Sequence, residues 1–263
     1  MSDSFSKDYV RAYLKRINYH GSLALTAETL GALQVAHLLS VPFENLSIHA
    51  HEPIVLDDEA LFQKIVERRR GGFCYELNGL FAALLRELGF KVTMLSAEVA
   101  HTEDGFSQPF DHMTLMVQLE QRWLVDVGFG ESFLEPLLID ERGDQRQDDR
   151  VYRIHDDSGF LVVSQHVNNE SRPQYRFTLQ PYEYDDFADM CRYHQTSPQS
   201  HFTQGRVCSR ATAEGRITLS EMRFIITLKN GERQERTLQT NQEYEDVLRN
   251  EFGIVMNSYG TAT

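Results

Sequence analysis

The sequence predicts an α+β fold, because helical and strand patterns occupy separate parts of the chain. Apolar residues recur at helical spacing through the first ninety residues, whereas they alternate with a period of two from residue 92 onward. A weaker helical pattern and further strands follow after residue 184. Elements segregated in this way favour an α+β fold over an alternating α/β fold. No linker rich in Gly, Pro or Ser separates the parts, so we expect them to pack as one body.

Four helices are predicted in the first ninety residues. Thr26 is a suitable N-cap for the second helix. The third begins after Asp57 and carries the arginines of residues 68–70 in its last turn. The helix dipole would stabilise cations there, and contact with a ligand is the alternative. The fourth and longest helix has a continuous apolar face over residues 77–88 and ends at Gly89.

Strands are predicted through the middle and end of the chain. They cover residues 92–99, 113–119, 123–127, 151–154, 160–167, 175–179, 207–210, 217–219, 223–228 and 233–238. The polar segment 141–150 is predicted to be a solvated excursion between strands. Helical spacing returns over residues 184–193, and a last helix over residues 242–252 ends at Gly253.

The charge of the chain argues against two classes of partner. The 263 residues include 26 Lys+Arg and 39 Asp+Glu, which gives a net charge of −13. Nonspecific binding to nucleic acid or to anionic membranes requires clustered positive charge, so we expect neither partner. A small anionic ligand held by a local patch stays open. No signal peptide and no run of about 18 apolar residues is evident, so we expect a cytoplasmic protein.

The chain has three cysteines, Cys74, Cys191 and Cys208, which is too sparse a set for a disulfide framework and fits a reducing compartment. Cys74 lies at the predicted start of the longest helix, where free backbone N–H groups and the helix dipole favour a thiolate. A buried structural cysteine is the alternative, and we assign Cys191 and Cys208 to that class. No Cys-x-x-Cys or His-x-x-x-His pair is present, so no metal site is expected.

A nucleophilic cysteine requires a base and a group that orients the base. His112 is the best-placed base, because it opens a predicted strand at the rim of the sheet. Asp126 lies in an otherwise apolar run, where an unpaired carboxylate is costly to bury. A two-residue turn at residues 120–121 would place Asp126 opposite Leu115, three residues from His112. Contact between the two side chains would then require a longer turn, a bulge or strand twist.

Five segments resemble, in the same order, motifs of the arylamine N-acetyltransferase family. They are residues 41–46 (VPFENL), 70–78 (RGGFCYELN), 112–115 (HMTL), 125–130 (VDVGFG) and 195–203 (QTSPQSHFT). One such segment is modest evidence, whereas five in order are highly specific. The chain length also suits bacterial members of this family.

The resemblance implies a three-part architecture that the periodicity alone does not establish. It consists of an N-terminal helical bundle, a central antiparallel β-barrel and a C-terminal α/β lid, with a Cys-His-Asp core like that of cysteine proteases. The implied domains are residues 1–90 with the nucleophile, residues 91–195 with the histidine and aspartate, and residues 196–263 as the lid.

The resemblance also implies the chemistry. By motif, the catalytic triad is Cys74, His112 and Asp126. The implied reaction transfers acetyl from acetyl-CoA to an arylamine, arylhydrazine or N-hydroxyarylamine by a ping-pong mechanism through an acetyl-Cys intermediate. The resemblance also implies a role in xenobiotic metabolism. No metal is implied. A cysteine hydrolase or transglutaminase-like enzyme with the same triad is the alternative, as is an inactive CoA-binding relative.

Two further sets of residues follow from family position and residue type. The predicted acceptor pocket is apolar, and its members are Phe43, Val99, Phe129 and Phe202. The predicted CoA contacts are small or hydroxylic residues, namely Gly128, Gly130, Ser197, Ser200 and Thr203.

Overall fold

The computed structural model describes residues 3–101, 105–148, 150–167 and 170–256. The helices are α1 (Asp3–Arg16), α2 (Ala27–Ser40), α3 (Leu46–His49), α4 (Asp58–Phe62), α5 (Cys74–Glu87), α6 (Tyr184–Thr196), α7 (His201–Gln204) and α8 (Asn241–Phe252). The strands are β1 (Phe43–Glu44), β2 (Lys91–Val99), β3 (His112–Gln118), β4 (Arg122–Val125), β5 (Leu137–Leu138), β6 (Gln145–Gln147), β7 (Arg150–Asp157), β8 (Phe160–Val167), β9 (Glu170–Tyr182), β10 (Val207–Thr212), β11 (Gly215–Ser220), β12 (Arg223–Leu228) and β13 (Arg233–Thr237).

Helices and strands are segregated along the chain, so the predicted α+β class is confirmed. In the described ranges, no helix has the length and apolar character needed to cross a membrane. The predicted domain boundaries near residues 90 and 195 stay predictions.

The N-terminal helices start where their capping residues predict. Thr26 accepts a hydrogen bond from the Thr29 backbone at the start of α2, and Asp57 caps α4 in the same way. The third predicted helix is shorter than expected, because α4 passes into one π-helical turn, Gln63–Glu67, and then ends. Arg69 adopts a positive φ of 54°, which turns the chain out of the helix. The prediction that these arginines lie in the last helical turn is therefore wrong.

The larger sheet has eight antiparallel strands in the order β5-β4-β3-β2-β9-β8-β7-β6. Its two edges meet through side-chain amides. Gln145 on β6 donates to the Leu138 carbonyl at 2.9 Å and accepts from the Leu138 amide at 2.7 Å. Gln147 accepts from the Leu134 amide at 2.9 Å. These bonds bring the sheet close to closure, as expected of the predicted barrel. Residues 141–144 are exposed, as the polarity of segment 141–150 predicts, but the segment also contains strand β6, which the sequence analysis did not predict.

The pairing of β3 with β4 differs by one residue from the predicted register. Three residues join the strands instead of two, and Leu115 lies opposite Val125. Asp126, which directly follows β4, therefore continues toward Thr114 and not toward Leu115. Thr114 and His112 are two residues apart and share one face of β3. The longer loop thus places Asp126 on the side of the strand where His112 lies.

The smaller sheet has five antiparallel strands in the order β1-β10-β11-β12-β13, and α8 packs against it. Its first strand comes from the N-terminal part of the chain, where Phe43 pairs with Ser209 on β10. The same strand touches the turn before α5, because the Glu44 amide donates to the Gly72 carbonyl at 2.9 Å. Segments that are far apart in the sequence, β1 and β10, therefore meet beside the start of α5.

Candidate active site

Cys74 is the first residue of α5, and the turn before it is held closed. The Glu76 carboxylate accepts a hydrogen bond from the Phe73 amide at 3.1 Å, which caps the start of the helix. Burial raises the pKa of the Cys74 thiol well above its usual range, and a hydrogen bond from the Met113 backbone offsets this only in part. For this buried thiol, the helix N-terminus is therefore not sufficient to favour the thiolate, and a charged partner is required.

A network of four buried charges, called here the ion-pair network, anchors this turn. Its members are Glu44, Lys64, Arg70 and Glu76. Arg70 lies 2.9 Å from Glu44, and Lys64 lies 2.6 Å from Glu76. Burial raises the pKa of the Glu44 carboxyl, but the charges of Lys64 and Arg70 lower it below its usual value. Arg70 therefore has a structural role, because it forms a buried ion pair with Glu44.

Two glycines permit close backbone approach around Cys74. A Cβ on Gly71 would lie 1.9 Å from the Pro42 carbonyl oxygen, so no side chain fits there. A Cβ on Gly128 would lie 2.7 Å from the Cys74 Cα. Gly128 therefore packs directly against the start of α5, which brings the segment after β4 next to the cysteine.

His112 and Asp126 are in direct contact, with His112 Nε2 2.7 Å from Asp126 Oδ2. Asp126 Oδ1 accepts further hydrogen bonds from Asn78 Nδ2 and from the Gly128 amide, both at 2.9 Å. Burial raises the pKa of the Asp126 carboxyl, but the charge of His112 and these hydrogen bonds lower it below its usual value. The carboxylate is therefore ionised at neutral pH, and it fixes the orientation of the imidazole.

Asn78 is a site residue that the sequence reasoning did not single out. It lies one turn after Cys74 on α5 and is fully buried. Its amide also donates to the Met113 carbonyl at 2.6 Å and accepts from the Val127 amide at 2.9 Å. The available signal was a polar side chain four residues after the cysteine, in a helix that is otherwise apolar on that face. We call Cys74, Asn78, His112 and Asp126 the cysteine cluster.

The cysteine cluster opens onto a cavity of about 530 Å³. Cys74 and His112 both line it. The four predicted acceptor-pocket residues also line it, and they are Phe43, Val99, Phe129 and Phe202. The ring of Phe129 lies edge-on to His112 at a centroid distance of 5.2 Å. The wall also carries many polar side chains, among them His101, Gln108 and His201, so the cavity can hold a small aromatic ligand and bind polar groups on it.

The predicted CoA contacts are divided. Gly128 and Ser200 line the cavity, whereas Gly130, Ser197 and Thr203 are not among its described lining residues. The Gly128 amide is already bonded to Asp126, and the Thr203 hydroxyl donates to the Ser197 carbonyl at 2.7 Å. The local fold therefore uses several of the polar groups that the sequence suggested for a ligand.

A second Asp–His pair lines the same cavity, and sequence reasoning missed it. His194 Nε2 lies 3.0 Å from Asp111 Oδ1, and His194 Nδ1 lies 2.9 Å from Ser200 Oγ. The sequence offered no signal for this pair, because Asp111 directly precedes β3 whereas His194 lies in α6. Within the described residues, no group of three or more His, Cys, Asp or Glu side chains is arranged to hold a metal ion.

Comparisons with known proteins agree with one another. Residues 26–260 match a family model described as N-acetyltransferase. The chain is 35% identical to the arylamine N-acetyltransferase 2 of Mus musculus, over 93% of each chain. It is similar to the solved arylamine N-acetyltransferase of Salmonella typhimurium, with a TM-score of 0.89 at 28% identity, covering 97% of this chain and 94% of that one. The Mycobacterium marinum enzyme in complex with CoA gives a TM-score of 0.86 at 32% identity, with 93% and 92% covered.

Proposed function

The chain belongs to the arylamine N-acetyltransferase family of acyltransferases, and we propose that it transfers acetyl from acetyl-CoA to an aromatic amine through an acetyl-Cys74 intermediate. The observation that carries this proposal is the contact of His112 with Asp126 at the wall of the cavity that Cys74 also lines. The CoA complex of the Mycobacterium marinum relative supports CoA as the carrier of the acetyl group.

The thiol is activated by proton transfer inside the site. Because burial raises the pKa of Cys74, its thiolate requires a neighbouring cation. His112 supplies that cation: Asp126 holds Nε2, so Nδ1 is the ring nitrogen left to take the thiol proton. The ionised Asp126 then stabilises the imidazolium. Because the proton moves from the Cys74 thiol to His112, the two residues together keep the same net charge.

The transfer proceeds in two half-reactions. The Cys74 thiolate attacks the thioester carbonyl, and CoA leaves as a thiol with the proton that His112 returns. The acceptor amine then attacks acetyl-Cys74, and His112 takes a proton from the amine as the amide forms. Arylamines suit this second step, because their weak basicity leaves the nitrogen lone pair free at neutral pH. The aromatic rings of Phe43, Phe129 and Phe202 hold the acceptor ring.

We propose that the five predicted CoA contacts divide into two groups: Gly128 and Ser200 contact the part of CoA inside the cavity, whereas Gly130, Ser197 and Thr203 contact the part outside it. The Ser197 Oγ accepts a hydrogen bond from the Gln199 amide at 3.3 Å, so its hydroxyl hydrogen is left for a ligand. Gly130 has a positive φ of 91°, a conformation that favours glycine, and a Cβ added there would lie 3.8 Å from the Phe43 ring.

Intact mass spectrometry tests the proposed intermediate. Incubation with acetyl-CoA should add about 42 Da, the mass of one acetyl group in thioester chemistry, and peptide mapping should place it on Cys74. An arylamine should remove the adduct and yield its amide. Cys191→Ser is the matched control, because Cys191 is also buried but is not at the cavity wall, and it should still acquire the adduct. Absence of the adduct, or rapid acyl transfer to water without an amine, would favour a hydrolase and overturn the proposal.

A further inference from the structure

A separate cavity of about 420 Å³ lies where α1, α2 and α8 end, beside β10 and the turn before α5. It shares no described lining residue with the cavity of Cys74. Four of its lining residues carry positive charge, and we call them the basic cluster: Lys15, Arg16, Arg69 and Arg210. Its described lining residues include one carboxylate, that of Glu251. The wall of this cavity is therefore positively charged in a chain whose net charge is −13.

The basic cluster lacks ion pairs. None of its four cations forms an ion pair with a carboxylate of the described residues. Exposed arginines elsewhere in this acidic chain do form such pairs, as Arg142 does with Asp156 at 2.7 Å. The positive charges of the basic cluster are therefore available to an anion.

Arg16 is the most deeply buried member of the basic cluster, at 5% exposed. It donates to four backbone carbonyls, two of which belong to Arg69 and Arg70 in the turn before α5. Burial lowers the pKa of Arg16 to about 10, and the charges of Arg69 and Arg210 act in the same direction. The guanidinium is therefore fixed in place and charged at neutral pH, with like charges beside it.

Arg210 is half-buried and keeps hydrogen-bond donors for a ligand. Its Nη1 donates to the Leu39 carbonyl at 2.6 Å, and its Nη2 donates to the Glu251 carbonyl at 2.8 Å. A guanidinium has five N–H groups in one plane, so three of them have no acceptor among the described residues. Such a planar group matches the geometry of phosphate oxygens and can donate to two of them at once.

The three helix ends at this cavity offset only part of the positive charge. The C-terminal end of a helix carries about half a negative charge, and Arg16 and Arg210 partly serve to neutralise such ends. Glu251 adds one further negative charge, which raises the pKa of Arg210 against the effect of burial. Together these groups supply about two and a half negative charges against four positive ones. The cavity therefore retains positive charge that an anion can neutralise.

We propose that the basic cluster binds a soluble, phosphate-bearing small molecule at a site separate from the cavity of Cys74. Two guanidinium groups on the wall, a third at the rim and one ammonium group surround a space whose volume lies within the ~300–1,000 Å³ typical of ligand cavities. Within the arginine run of residues 68–70, Arg69 is then a ligand contact, whereas Arg70 is structural. This inference does not depend on the proposed acetyl transfer.

Isothermal titration calorimetry with inorganic pyrophosphate, at constant ionic strength and on the purified full-length chain, tests the inference. Wild type should bind one pyrophosphate per chain. Arg69→Gln should weaken this binding about 10-fold, because it removes a charge-assisted contact. Arg68→Gln is the matched control, because Arg68 is adjacent and also exposed but does not line the cavity, and it should change the affinity less than about twofold.

Three results would overturn the inference. One is equal weakening by Arg68→Gln and Arg69→Gln, which would show a diffuse effect of net charge. Another is unchanged pyrophosphate binding in the double variant with Lys15→Gln and Arg69→Gln. The third is a rise in melting temperature with sodium chloride that equals the rise with pyrophosphate at the same ionic strength, which would show screening alone. Melting temperatures of the variants without ligand check that each is folded.

Titration with CoA separates this site from the proposed acetyl-transfer site, because CoA also carries phosphates. Arg69→Gln should leave the affinity for CoA unchanged while it weakens pyrophosphate binding. Equal weakening of both ligands would assign the basic cluster to CoA and overturn a separate site. Neither titration requires turnover, so absence of the acetyl adduct on Cys74 would contradict the proposed function and leave this inference standing.

Discussion

Two buried polar clusters flank the first turn of α5, and they differ in whether their members line a cavity. The ion-pair network contains two carboxylates and two cations, and each charge has a partner of opposite sign. The cysteine cluster contains one carboxylate, one imidazole, one amide and one thiol, and two of these groups line a cavity. Both clusters are almost fully buried.

The comparison teaches that burial of polar groups serves two purposes in one small region. Fully paired charges close a turn and hold it, because removing one partner leaves an uncompensated buried charge. In the cysteine cluster, hydrogen bonds hold the Asp126 carboxylate to Asn78 and His112, while Cys74 and His112 line the cavity. Changes to the ion-pair network should therefore reduce stability, and changes to the cysteine cluster should reduce catalysis.

The largest effect is expected from Cys74→Ser. A serine hydroxyl lacks the acidity of a thiol, so kcat should fall by roughly 10⁴-fold or more. CoA binding, measured by calorimetry, and the melting temperature should change little, because the side chains are similar in size. Cys191→Ser is the control and should keep most activity. A turnover rate within tenfold of wild type for Cys74→Ser would show that the cysteine cluster is not the catalytic one.

Asp126→Asn should give the next largest loss, about 10²- to 10⁴-fold in kcat/KM. The neutral amide would no longer hold His112 in its reactive orientation or stabilise the imidazolium. Asp140→Asn is a suitable control, because Asp140 forms an exposed ion pair with Arg122 on β4. Its loss should change kcat/KM little. Near-normal steady-state rates for Asp126→Asn would contradict the assignment of His112 and Asp126.

Glu44→Gln tests the other side of the comparison. It leaves Arg70 buried without its 2.9 Å partner and should lower the free energy of unfolding by about 3–5 kcal/mol, measured by urea denaturation. Glu76→Gln should cost less, because burial and the charge of Glu44 raise the pKa of Glu76 and its ionised form is already disfavoured. Both variants should lose far less activity per folded molecule than Asp126→Asn. The reverse order of stability loss would show that the charge balance is misassigned.

The smallest effect is expected in the pH dependence of stability, to which each carboxyl contributes through the shift of its pKa on folding. The pKa values of Glu44 and Asp126 are lowered on folding, from unfolded values of about 4.3 and 3.9. Their contribution is complete above about pH 5 and is lost as the pH falls through those values toward the folded ones. Glu76, whose pKa is raised, acts in the opposite direction and contributes a gain as it takes up a proton.

Denaturation of the variants between pH 7 and pH 3 checks these signs. Glu44→Gln should lose stability less steeply than wild type as the pH falls, because one depressed carboxyl is gone. Glu76→Gln should lose stability more steeply, because the opposing contribution is gone. Parallel curves for the three proteins would show that these carboxyls titrate alike in the folded and unfolded states.

Much of the fold was predicted from local features of the sequence. The order of helices and strands, the caps at Thr26 and Asp57, the end of α5 before Gly89 and the position of Cys74 at a helix start all follow from neighbouring residues. The five family motifs also lie in short continuous segments. Such features are determined over a few residues, so the pattern of apolar, capping and turn residues is sufficient to read them.

Features that depend on distant partners were missed or mispredicted. The three-residue loop between β3 and β4 changes which side Asp126 occupies, and a turn of two or three residues cannot be told apart from periodicity alone. Arg70 lies outside the helix that the sequence predicted and forms a buried ion pair with Glu44, twenty-six residues earlier. Strand β6 was missed because its residues are polar, and Leu138, the residue that Gln145 bonds at the other edge, belongs to a strand of only two residues.

The amino-acid sequence by itself determined the fold class, the family and the identity of the three residues proposed as the triad. The tertiary structure alone decided how they meet: the register that carries Asp126 to His112, and the amide of Asn78 that holds the carboxylate. The reason is physical. Residue type and short-range spacing encode which groups are available, whereas the pKa of a buried group depends on charges and hydrogen bonds that only folding brings within about 4 Å.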